Sequence, residues 1–226
     1  MKPEHIFFIG AHPDDMIGCA ALALKLHQCF ADRFALHVAD YTRGENGMGS
    51  AVSMNDAAAI RTREEQAACA MLEIEPIFLG ERNDHRACAG REICEATAEI
   101  FRRAPPRAVI THWPLDTHPD HVMCYAATVR ALDFADCRPE MYFFEESIQT
   151  RSMPVRFYLP FDAAMMRCKA EFIRRYASQN ADDNLVERKT VEARYHGWQC
   201  GTPFAEPYGA ALPKCAGLTT LFDELR

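Results

Sequence analysis

Two short polar runs concentrate the groups able to bind a metal and move protons. The first is Ala11-His12-Pro13-Asp14-Asp15, and the second is His112-Trp113-Pro114-Leu115-Asp116-Thr117-His118-Pro119-Asp120-His121. Imidazole and carboxylate are both good ligands for Zn²⁺, and a tight turn lets His12 and Asp15 converge while Pro13 stiffens the chain between them. Asp14 is then left over. A carboxylate beside a metal but not bound to it is what deprotonating a metal-bound water requires. In the second run, His118 and His121 flank a Pro-Asp pair and can face one cleft in different parts: one ligates, and the other stays free to donate a hydrogen bond. Together the runs supply two His and one Asp as ligands, with acid and base groups to spare, which matches a catalytic metal with an open position. The plainer alternative is that Asp14 or Asp15 merely caps a helix and the histidines pack. For the isolated His5, His27, His37, His85 and His196, packing or surface placement is the expectation.

Elements must bring the two runs together. The apolar segment 5–10 reads as a buried strand, 15–30 as a helix at 3.6-residue spacing, and 34–41 as a second strand. Residues 42–55 hold Gly44, Gly47 and Gly49 and form a long loop. A helix over 56–72 follows, with Asp56 as its N-cap, then a strand at 76–79, a helix at 91–103 and a strand at 107–111. Pro119 suits the first turn of a helix reaching about Phe134, with His118 just outside it, and 140–145 is a fifth strand. This alternation predicts an α/β fold, a Rossmann-like three-layer sandwich whose mostly parallel sheet carries helices on both faces. Ligands in such sheets bind outside the carboxyl ends of the strands, where both polar runs fall. Beyond 152 the pattern reads as a strand at 155–159, helices at 162–177 and 182–194, and a Gly/Pro-containing tail. With no repeat or linker, one domain is expected over 1–226, its motif-bearing core at about 5–145 and a C-terminal extension, 152–226, packed on it.

Composition narrows the partners. The 226 residues carry a net charge of −7, and the pI is 5.7 with a mean hydropathy of −0.23. No apolar run approaches the roughly 18 residues of a membrane span, and no basic cluster suits phosphate backbones, so neither a membrane span nor a nucleic-acid partner is expected. The ten cysteines are scattered without a C-x-x-C pair and read as reduced thiols packed as small hydrophobes. Without a signal-peptide pattern, the expected compartment is the cytoplasm.

The ordered set of motifs closely resembles the PIG-L/LmbE family. It comprises Ala-His-Pro-Asp-Asp after the first strand, Thr42-Arg43-Gly44-Glu45 after the second, Arg61-x-x-Glu64 opening the next helix, and His118-Pro119-Asp120-His121 after the fourth. Lys169 with Ser178-Gln179, and Phe204-Ala205-Glu206, resemble weaker late signatures. The resemblance implies a zinc-dependent N-deacetylase of N-acetylglucosamine-type substrates, with His12, Asp15 and His121 as metal ligands and Asp14 as general base. His118 would stabilise the oxyanion or act as acid, and Asp120 would orient it. Arg61 would approach substrate hydroxyls, with the nearby Arg63 as its rival, and Arg43 and Glu45 would border the sugar pocket. Fe²⁺ or another divalent transition metal could replace Zn²⁺. A small-molecule amino sugar is the expected partner, and a homo-oligomer is compatible with the chain.

There are departures from the pattern. Met16-Ile17-Gly18-Cys19-Ala20-Ala21 is about one residue short of the usual continuation, Glu73 replaces a glycine, and Tyr176 stands where the late motif has His. Two other readings keep the metal: a phosphoesterase, for which the ligand inventory is thin for two ions, and a non-catalytic carbohydrate- or metal-binding relative, which needs neither Asp14 nor His118. A Rossmann nucleotide binder fails at the first turn, where His-Pro-Asp-Asp replaces the glycine fingerprint.

Overall fold

Strand β1 (Glu4–Gly10) sets the layering, because it is apolar on both sides. Ile6 and Phe8 enter one core cluster and Phe7 and Ile9 the other, as the two-residue period of a strand requires of one buried on both faces. In the computed structural model, residues 2–80, 87–146, 150, 152–213 and 218–225 are described. His85 and Cys215 lie outside them.

Among the described residues the sheet has seven strands, in the order β3-β2-β1-β4-β5-β7-β6. These are β2 (Phe34–Asp40), β3 (Ile77–Phe78), β4 (Pro106–His112), β5 (Glu140–Phe144), β6 (Phe157–Phe161) and β7 (Phe204–Ala211). The first five pair in parallel, and β7 runs antiparallel between β5 and β6. The first core cluster joins one sheet face to helices α1 (Ala20–Phe30), α5 (Ala163–Ile173) and α7 (Leu221–Glu224), with Leu185 of α6 (Asn184–Cys200). The second joins the other face to α3 (Arg91–Arg103) and α4 (Pro119–Phe134). Helix α2 (Met54–Cys69) follows the long loop after β2. This is the three-layer, mostly parallel α/β architecture expected.

Local details differ from the sequence expectation in instructive places. The first helix does not start at Asp15: residues Asp15–Cys19 wind as a 3-10 turn before α1. Gly18 makes this possible, since a Cβ there would meet the Phe144 ring at 2.6 Å. The N-cap of α2 is Ser53 rather than Asp56; Ser53 Oγ accepts the Asp56 N–H at 3.2 Å. The tail contains β7, hidden because Pro207 and Gly209 read as loop residues. Its Glu206 accepts the Ala21 and Leu22 N–H groups at 2.8 and 3.1 Å, tying the last strand to the start of α1.

Order reversal at β1 and β4 opens a crevice between their carboxyl ends, the expected ligand position in an open parallel sheet. Both polar runs empty into it.

Candidate metal centre

The turn after β1 separates two adjacent aspartates. Asp15 folds back on its own backbone, accepting the Ala11 and His12 N–H groups at 2.7 and 2.8 Å through Oδ2. Asp14 takes a φ of 93°, in the left-handed region that favours glycine, and its side chain caps nothing. Its carboxylate meets the Arg61 guanidinium, which also donates to the Pro13 carbonyl. Neither aspartate serves merely as a side-chain helix cap.

The second run enters from β4 and α4. His112 ends β4, His118 is the N-cap of α4, and His121 lies in its first turn. The His118 ring stacks against that of His121 at 4.6 Å and meets that of His12 edge-on at 5.0 Å. Asp15 is ringed by imidazoles. His121 Nε2 lies 3.6 Å from its Oδ1, and His12 Nδ1 and His112 Nε2 lie 3.7 and 2.8 Å from its Oδ2. Donor atoms of His12, Asp15 and His121 fall within 4.8 Å of one another, and all three residues are buried.

Two overlapping groups also have metal-ligand chemistry, His12-His118-Asp120 and His112-Asp116-His121. In each, the carboxylate already faces the second nitrogen of a central histidine. Asp120 Oδ2 lies 3.1 Å from His12 Nε2, and Asp116 Oδ1 lies 3.2 Å from His121 Nδ1. That is how carboxylates orient metal-binding imidazoles from outside. The nitrogens left facing Asp15 are His12 Nδ1 and His121 Nε2. Two imidazoles and one carboxylate suit a catalytic zinc that keeps an open coordination position, so the residues present fit the metal.

Electrostatics reinforce the convergence. Burial alone would lower the pKa of His12, but Asp15 and Asp120 outweigh it and hold it up at about 9. Burial opposes ionisation of Asp15, yet His112, His121 and His12 keep it well below the usual carboxylate range. Asp14 differs from its neighbour: burial pushes its carboxyl up to about 7 against the pull of Arg61. Burial and the neighbouring His121 bring His112 down to about 4, while burial also lowers the half-buried His118.

Most of the expected site residues therefore come together, with two changes of partner. The Asp120 carboxylate, expected to orient His118, faces His12; its N–H donates to His118 Nδ1 at 3.2 Å. Arg61, expected near substrate hydroxyls, is only 4% exposed and is occupied by Asp14 and Pro13 beneath the loop after β2. Its rival Arg63 is exposed on α2. Arg43 and Glu45 lie on that loop: Arg43 crosses the Phe78 ring at 4.5 Å, and its N–H donates to Glu45 at 3.2 Å. Sequence reasoning passed over His112 and Asp116, although both belong to the second polar run, and also Glu65, which accepts the Asp14 N–H at 3.1 Å.

Comparison with known proteins places this geometry. The PIG-L family, described as GlcNAc-PI de-N-acetylase, matches residues 7–132, which include both polar runs. The chain belongs to the PIG-L family. This is a family of metal-dependent N-deacetylases acting on GlcNAc-type substrates. Among solved structures, the N,N'-diacetylchitobiose deacetylase of Pyrococcus horikoshii is 21% identical with a TM-score of 0.78, over 100% of this chain and 90% of that one. A conserved protein from Thermus thermophilus is 24% identical with a TM-score of 0.75, over 93% and 95%. The 4-carboxy-2-hydroxymuconate hydratase GalB of Pseudomonas putida is 18% identical with a TM-score of 0.77, over 96% and 100%. PIG-L architecture thus extends to a hydratase, and fold alone does not choose the reaction. No curated protein matches the chain. Among the described residues, no helix is long and apolar enough to cross a membrane.

Proposed function

We propose that this PIG-L protein is a zinc-dependent N-deacetylase that hydrolyses the acetamide of a small N-acetylglucosamine-type sugar, built as one domain over 1–226. The observation that carries the reading is the divergence of the two aspartates: Asp15 lies among imidazoles, and Asp14 is held aside by Arg61. In this reading His12, Asp15 and His121 hold the ion, and Fe²⁺ or another divalent transition metal could replace zinc. The bound ion supplies Lewis acidity and lowers the pKa of its water towards about 7.

The chain's own residues do the rest. Asp14 accepts a proton from the attacking water and returns it to the leaving amine nitrogen. His118, at the N-terminus of α4 and beside both ligand histidines, donates to the carbonyl oxygen as negative charge develops there. Asp120 fixes the ring of His12, and Arg61 holds the Asp14 carboxylate in place. The loop bearing Arg43 and Glu45 borders the sugar. The described cysteines are all free thiols, which supports a reducing compartment such as the cytoplasm.

The test is amine release from N-acetylglucosamine and its short β-linked oligomers by purified protein, stripped of metal and then reloaded with Zn²⁺, with metal per chain counted. Metal-dependent release at about one ion per chain supports the reading. A loaded protein without release from any N-acetyl sugar overturns the substrate class, and failure to bind metal overturns the ligand set.

A further inference from the structure

Asp14 is held in a backbone conformation that an aspartate seldom adopts. Its φ of 93° and ψ of −19° belong to the left-handed region, where a Cβ crowds the neighbouring backbone. Such conformations persist only where the surroundings over-determine them. The Arg61 guanidinium grips the carboxylate and the Pro13 carbonyl, and the Asp14 carbonyl accepts the Ile17 N–H at 2.9 Å. The remaining hold on the residue is on its amide. Glu65 accepts the Asp14 N–H through Oε2 at 3.1 Å, from four positions beyond Arg61 on α2.

Glu65 is an unusual residue to find there. It is 0% exposed, and a carboxyl so placed is costly unless its oxygens are used. One oxygen serves Asp14; the other lies 3.5 Å from Cys69 Sγ. The buried Tyr176, the residue that departs from the late family motif, lies against the same carboxyl. Glu65 belongs to none of the candidate metal groups among the described residues.

We propose that Glu65 is a positioning residue for the base: by holding the Asp14 amide it keeps residue 14 left-handed, which sends the Asp14 and Asp15 side chains to different partners. Arg61 and Glu65 thus form a two-point clamp from a single helix, one on the side chain and one on the main chain. The inference rests on the reading of Asp14 as general base.

The experiment compares wild type with Glu65→Gln, which keeps an acceptor oxygen, and Glu65→Met, which keeps the length but has no comparable acceptor. Metal per chain, kcat and KM for amine release from N-acetylchitooligomers, and crystal structures are measured for each. Glu65→Met should bind metal as wild type does, keep KM within about twofold and lose on the order of 10- to 100-fold in kcat, the scale of a misplaced catalytic group. Its Asp14 should leave the left-handed region. Glu65→Gln should retain kcat within about threefold, because its amide oxygen still accepts the N–H. If Glu65→Met fails to fold, Glu65→Asp, which withdraws the carboxylate by one methylene, should show the same loss in kcat. Wild-type kcat in the Met or Asp variant, a Gln variant as impaired as Met, or a left-handed Asp14 persisting in Glu65→Met overturns the proposal. A wild type that releases no amine overturns the deacetylase reading instead, while the Asp14 conformation in the crystal structures still decides the clamp.

Discussion

His12 Nε2 and the Asp120 carboxylate meet at 3.1 Å across 108 residues of sequence. The contact joins the turn after β1 to the first turn of α4, and it leaves His12 Nδ1 facing Asp15 at 3.7 Å. Under the proposed ligand set, Asp120 selects which nitrogen of His12 is offered to the ion.

Asp120→Ala should therefore weaken metal binding by about 10- to 100-fold, the usual consequence of losing the carboxylate behind a ligating imidazole. Competition against a chromophoric chelator measures it. Asp120→Asn, with an oxygen still able to accept from His12, should lose less. Unchanged affinity in Asp120→Ala with reduced turnover would assign the carboxylate to His118 instead.

Asp14→Asn should keep the metal and lose about 10²- to 10⁴-fold in turnover, the range associated with a general base. His121→Ala should instead lose the metal itself. Steady-state kinetics with metal counted per chain separates the two, and near-native turnover in fully loaded Asp14→Asn would remove the base assignment.

Burial holds the Glu65 carboxyl up at about 7, against an ordinary 4.5. The folded protein consequently binds more protons than the unfolded chain between these values, so stability falls as pH rises through that window. The favourable contribution is complete below about 4.5 and lost above about 7. Denaturant titrations of wild type and Glu65→Gln from about pH 4.5 to 8 should show a steeper pH-dependent decline in wild type than in the variant, where the raised Asp14 carboxyl still titrates across the same window. Parallel curves would mean that Glu65 does not titrate there.

Lys169 and Glu206 form a buried pair at 2.5 Å, with side chains only 3% and 2% exposed. Lys169→Met strands the carboxylate and should cost about 3–5 kcal/mol, read as a lower denaturant midpoint. Adding Glu206→Gln should recover part of the loss, since the amide oxygen can still accept from α1. A single variant as stable as wild type would show that the Ala21, Leu22 and Tyr208 donors satisfy Glu206 without Lys169.

The strand-and-helix rhythm was legible because each early strand is a short apolar run and the first helix keeps a 3.6-residue apolar spacing, while the helices that follow are marked by caps, composition and an N-terminal proline. The two polar runs were legible because their ligand types sit a few residues apart, where local turn geometry makes them converge. What escaped depends on contacts between distant segments. Ser53 and Asp56 are both reasonable caps, and the choice falls to whichever oxygen meets the first amides. Pro207 and Gly209 disguise β7, whose place is set by pairing with β5 and β6 rather than by propensity. His112 reads as the polar end of a strand until the fold stacks it on His121 at 3.9 Å. Asp120 could face either of two histidines, and spacing along the chain suggests the nearer one. Arg61 likewise looks like a substrate ligand until Gly44 and Gly47 are seen to admit its guanidinium beneath the loop, where a Cβ on either would collide with it.

The bonds from Ala21 and Leu22 to Glu206 span 185 and 184 residues. Contacts so remote along the chain must close a very large loop before they stabilise anything, which slows folding and defers it. During synthesis, Ala21 and Leu22 leave the ribosome long before β7 exists, so the start of α1 lacks its Glu206 acceptor while the turn before it is already held by its own backbone and by Arg61 and Glu65 of α2.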